Sequence, residues 1–105
     1  MDGGGIAVRE GRMGSAFRRE KDVYIAEPGR PERRLGPGTD VAFAANAHGW
    51  YAMWSTPQGI RMMLPNATET TAVSGAGAFS AMVATPGGAI VAAWEENGAI
   101  ATARF

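Results

Sequence analysis

Residues 81–105 read AMVATPGGAIVAAWEENGAIATARF, and this stretch decides the fold. A small-apolar run ends at the Pro86-Gly87-Gly88 turn, and a second apolar run, 89–94, ends in Trp94. Asn97-Gly98 then turns the chain into a third run. Asn-Gly is a strong hairpin signal, because both central residues of a type I′ turn need positive φ. Along 89–94, Ile90, Ala92 and Trp94 alternate with Ala89, Val91 and Ala93. Both faces of that strand are apolar. A sheet with one wet face alternates apolar with polar, so two dry faces call for cover on both sides.

Working backwards, the same pattern recurs. Residues 42–54, AFAANAHGWYAMW, show an apolar run, a turn at His48-Gly49 and a second run closed by Trp54. Trp50, Ala52 and Trp54 alternate with Tyr51 and Met53, again dry on both faces. A fainter copy, GIAVREGRMGSAF, spans residues 5–17. Phe17, Trp54 and Trp94 fall in one aromatic column, and Asp22, Gly59 and Gly98 in one turn column. Val23, Ile60 and Ala99 then open the following strand. The offsets are 37 residues for the first step and 39 or 40 for the second. A period near 40 with several short strands per unit is the mark of propeller blades. The fourth strand of a unit is expected at RRLGPG (33–38) and TTAVSG (70–75), and the last unit stops at Phe105 without one.

The chain is therefore expected to be all-β: a single domain, 1–105, of three antiparallel blade-like repeats at about 1–40, 41–78 and 79–105, the last incomplete. No stretch carries helical periodicity with caps. Repeat units cannot bury their faces alone. Three blades leave two faces open, so either identical chains close the ring, a homodimer of six blades being the favoured expectation, or the chain is a fragment of a longer propeller. The partner's segment Ile6–Arg9 is expected to supply the missing fourth strand.

Ten basic and ten acidic residues cancel, giving no general electrostatic reason to bind nucleic acid or an anionic membrane. Lys21 is the only lysine, and the arginine-rich, alanine- and glycine-rich composition reads as a GC-rich bacterial genome. Cysteine is absent, which removes thiolate chemistry and disulfides. MDGGGIAVREG does not read as a signal peptide, and no apolar run nears the roughly 18 residues of a membrane helix. The localisation expected by default is cytoplasmic.

Units of this kind, with AMVATPGGAIVAAWEENGAIATARF at residues 81–105 the clearest, resemble blades of sialidase-like (BNR-type) six-bladed β-propellers. The resemblance is best from Val41 to Phe105 and implies a propeller fold, with a glycan as the ligand class. The Asp-box of that family, S-x-D-x-G-x-x-W, is not intact here. AEPGRPERRLG (26–36) lies where one would fall and lacks its Asp and Trp.

The chemistry-bearing residues are few. Trp50 and Tyr51 follow a turn and have no aromatic counterpart in the third unit, which makes them, with Arg61, the ligand-binding candidates. Phe17, Trp54, Trp94, Gly59 and Gly98 are assigned to the repeat itself. Glu95 and Glu96 are neighbours, face opposite sides of a strand and cannot work as an acid and base on one bond. Arg9, Arg12, Arg61 and Arg104 are available for anions, while Arg30, Arg33 and Arg34 fall in a solvated Glu- and Pro-rich loop. No catalytic residue, metal site or cofactor is assigned. The expected function is a non-catalytic binding or scaffold module, its ligand a carbohydrate. A sialidase-like hydrolase fragment and a purely structural repeat are the alternatives.

Overall fold

The computed structural model describes residues 3–105, which form eleven strands and no helix. They make three antiparallel sheets, each a simple up-and-down meander. The first holds β1 (Gly4–Arg9), β2 (Arg12–Arg19), β3 (Asp22–Ala26) and β4 (Arg33–Pro37). The second holds β5 (Thr39–Asn46), β6 (Gly49–Thr56), β7 (Gly59–Met63) and β8 (Thr71–Ser74). The third holds β9 (Ala78–Ala84), β10 (Ile90–Glu96) and β11 (Ala99–Arg104). The expected fourth strands are β4 and β8, and the third sheet has none among the described residues.

The sheets stack like blades, with the leading strands β1, β5 and β9 side by side. The second sheet is the filling of this sandwich, and its two dry faces follow from that. Phe43, Ala52 and Trp54 pack towards the first sheet, against Ala16, Val23 and Ile25. Ala44, Tyr51, Met53, Ile60 and Met62 pack towards the third, against Ile90, Ala92 and Trp94. Burying each large apolar side chain in these two joints contributes about 1.5–3 kcal/mol.

The tryptophans of the aromatic column lie in the joints, each beside the connection into its own sheet. A Cβ on Gly38 would stand 2.3 Å from Trp54 Cδ1, and one on Gly77 would stand 2.7 Å from Trp94 Cδ1. Both connections can pass only because they lack a side chain. Two residues after each of these glycines the connections share another device. Asp40 and Phe79 have φ of 53° and 58° and sit where β5 and β9 slip register against β6 and β10, as β-bulges do.

A clasp holds the second joint at its rim. The Glu96 carboxylate accepts a hydrogen bond from Trp94 Nε1 at 3.0 Å and meets the Ser74 hydroxyl from β8. These bonds, the Ser74 hydroxyl foremost, hold the Glu96 carboxyl below its ordinary pKa, against the opposing effect of burial.

Two expectations need correction. The segment Ile6–Arg9 is not a donated strand: it lies within β1, paired along its length with β2 of the same chain. It also sits at the leading edge of a sheet, whereas the missing strand belongs at the trailing edge, beside β11. The turn column is also displaced in the third copy. Gly59 pairs with Thr56 as the first residue of β7, and the residue that pairs likewise with Glu96 is Ala99. Ile100, not Ala99, therefore corresponds to Val23 and Ile60. Both glycines sit at positive φ, Gly59 at 112° and Gly98 at 78°, but in different surroundings. A Cβ on Gly59 would lie 2.1 Å from the Ser74 carbonyl, whereas Gly98, with φ 78° after Asn97 at 53°, completes a type I′ turn.

Candidate functional site

A cleft of about 490 Å³ opens between the first and second sheets at the end carrying the β1–β2 turn. Four arginines line it from four separate segments: Arg9 at the end of β1, Arg12 at the start of β2, Arg30 in the β3–β4 loop and Arg33 in β4. The far wall comes from His48 and Trp50 and from the loop after β7.

Three of these guanidinium groups are held. Arg9 donates to the carbonyls of Asn46 and Ala47 at 2.9 and 3.0 Å, tying β1 to the end of β5. Arg30 lies 3.5 Å from the Glu27 carboxylate. Arg33 reaches across to Met63 Sδ and the Ala67 carbonyl, both at 3.4 Å. Arg12 is different: it lines the cleft without a hydrogen bond or ion pair among the described residues. The carboxylates on the lining, Glu10 and Glu27, stand 3.7 and 3.5 Å from Arg9 and Arg30. With four arginines against two glutamates, the cleft keeps an excess of positive charge.

The expected trio of Trp50, Tyr51 and Arg61 is not brought together. Trp50 lines the cleft but stacks on Phe43, ring centroids 5.5 Å apart, and packs on Gly14. It is an engaged wall rather than a free platform. Tyr51 is buried on the opposite face of β6, between the second and third sheets, where its hydroxyl accepts from Asn46 Nδ2 at 3.2 Å. Arg61 is clamped onto its own loop, donating to Thr70 Oγ1 at 2.8 and 3.0 Å and to the Thr70 carbonyl at 3.1 Å.

Arg30 and Arg33, read from the sequence as part of a solvated loop, belong to the cleft. Arg34 instead makes a two-pronged ion pair with Asp22, at 2.8 and 3.0 Å, which holds the Asp22 carboxyl below its ordinary pKa. Among the described residues, no group of three or more His, Asp or Glu side chains could hold a metal ion. Among the described residues, no helix is long and apolar enough to cross a membrane. Compared with family models, with curated proteins and with solved structures, the chain finds no match.

Proposed function

We propose that this chain is a non-catalytic binding module, three blades of a six-bladed propeller that a second copy completes, and that its cleft takes an acidic carbohydrate. The observation that carries the ligand reading is Arg12, which makes no hydrogen bond or ion pair among the described residues at a cleft already supplied with three held arginines. A planar guanidinium presents two parallel donors to a carboxylate, the strongest kind of charge-assisted pairing available to a sugar acid. Arg9 and Arg33, fixed by carbonyls, supply positive charge without having to be ordered on binding. The engaged Trp50 ring offers an apolar wall, so specificity rests on charge more than on stacking. Both glutamates of the cleft stand beside arginines, at 3.7 and 3.5 Å.

The test is calorimetric titration with free N-acetylneuraminic and glucuronic acids and with neutral galactose as control. Saturable binding of an acid but not of galactose is expected, lost by tenfold or more in Arg12→Ala. Equal affinity for galactose, or an Arg12→Ala variant that binds as the parent does, would overturn the ligand reading. Turnover of a fluorogenic sialoside would replace the binding module with a hydrolase. The ring reading is tested separately, by light scattering after size exclusion, where twice the chain mass is expected.

A further inference from the structure

The two end faces of the stack are the unmatched halves of the joint already used twice inside the chain. The register equates Ile6, Met13 and Phe17 with Phe43, Trp50 and Trp54, the residues that the second sheet lays onto the first. In the first sheet that docking face points outwards. Ile6 and Met13 are 68% and 64% exposed, and an apolar groove of about 520 Å³ runs along β1 and β2. At the other end, the register equates Val83 with Ala7 and Ala44, and Ile100 with Val23 and Ile60. Those counterparts are receiving residues of the inner joints. Val83 and Ile100 are exposed.

We infer that the outer face of the third sheet of one copy receives the outer face of the first sheet of a second copy, head to tail, with no contact between like faces. The polarity of the first face says why the occupant is this same chain. Its leading part, β1 and β2 up to Phe17, is apolar, while from Arg19 at the end of β2 onwards it carries the Arg19–Glu32 and Arg34–Asp22 ion pairs. The Arg19 guanidinium also lies 5.1 and 5.0 Å over the stacked Phe17 and Tyr24 rings. A four-stranded sheet laid here would cover those ion pairs and require their desolvation. Among the described residues the third sheet has three strands, so it covers the apolar part and leaves the charged part wet.

The inference rests on the ring reading, and it adds a specific neighbour pair. Inside the chain, a Cβ on Gly5 would stand 3.1 Å from Phe43 Cβ. Gly5 corresponds to Ala81 and Phe43 to Ile6, so Ala81 of one copy should face Ile6 of the next, within disulfide reach. The chain has no cysteine to interfere. The experiment mixes the full-length variants Ile6→Cys and Ala81→Cys under mild oxidation and measures the mass of the parent beside them. A disulfide-linked dimer is expected from the mixture and from neither variant alone. A linked dimer from Ile6→Cys alone would mean like faces meet, and would overturn the inference. So would a parent of twice the chain mass whose mixed variants fail to link, which leaves the ring reading standing. A parent of one chain mass would remove both.

Discussion

Ile60 and Ile100 hold the same place in the register of the second and third sheets, yet one is 0% exposed and the other 73%. The strands around them are built alike. What differs is the neighbour: Ile60 has the third sheet against it, and nothing among the described residues covers Ile100. Burial in a stacked repeat is thus a property of the joint more than of the unit. A residue's place in the period says what it is for, and its place in the stack says whether that use is met within one chain.

The largest effect should come from truncating this pair. Ile60→Ala leaves a cavity in a packed joint and is expected to lower the unfolding free energy by about 2–5 kcal/mol. Ile100→Ala should cost less than about 0.5 kcal/mol when the chain is dilute, as surface changes do. Denaturant melts at a series of protein concentrations check both and sharpen the contrast. If a second copy covers Ile100, its cost grows with concentration, because association stabilises only the folded chain. A concentration-independent, near-zero cost for Ile100→Ala would leave the open face without use. Equal costs for the two isoleucines at dilution would break the comparison itself.

The connections between sheets give the next effect. Gly38→Ala sets a methyl against Trp54 and the Ser55 carbonyl, where a Cβ would approach to 2.3 and 2.9 Å. One of those atoms is backbone, so the joint has to shift, at about 1–3 kcal/mol for an overpacked site. Gly75→Ala, with nothing within 4 Å of its Cβ, is the control in the neighbouring connection. It should leave the melting temperature where it is. Matching losses would mean that Gly38 matters for chain flexibility and not for the Trp54 contact.

The fold was legible because its signals are periodic. Apolar alternation on both faces, the tryptophans at the ends of strands and the Asn97-Gly98 turn each recur or stand in a recurring frame, and together they mark three sheets. The slip at Gly98 shows the limit of that reading. Two glycines looked equivalent, and both have positive φ, but Gly59 must also clear the Ser74 backbone while Gly98 has open space around it and only turns the chain. A pattern of residue types does not separate those needs. The candidate site was barely legible. Arg9, Arg12, Arg30 and Arg33 come from a strand end, a strand start, a loop and an outer strand, and only the stacking of the first sheet on the second gathers them. The aromatic cue misled for the same reason. Trp50 and Tyr51 are adjacent in sequence and therefore point to opposite faces of β6. One reaches the cleft and the other is sealed in the joint beyond it.

The smallest effect contrasts the rims of the second joint and of the open face. At the joint, Glu96 spans two sheets through Ser74 and Trp94. At the open face, Asp22 and Arg34 pair within one sheet. Both carboxyls are held below their ordinary pKa, Glu96 by hydrogen bonds and Asp22 by the Arg34 guanidinium. A lowered native pKa means the unfolded chain takes up the proton first as pH falls. The stabilisation is therefore fully present above the ordinary carboxylate range and is lost as pH drops through the native value. Stability should fall on acidification below about pH 4.5, and both Glu96→Gln and Asp22→Asn should flatten that fall. Salt separates the two. The Asp22–Arg34 attraction is screened, so 0.5 M NaCl should shrink the effect of Asp22→Asn, while the Ser74 and Trp94 hydrogen bonds to Glu96 pair no opposite charges and should keep theirs. Equal salt sensitivity of the two acid limbs would mean that Glu96 acts through charge, and that the joint has no clasp of its own.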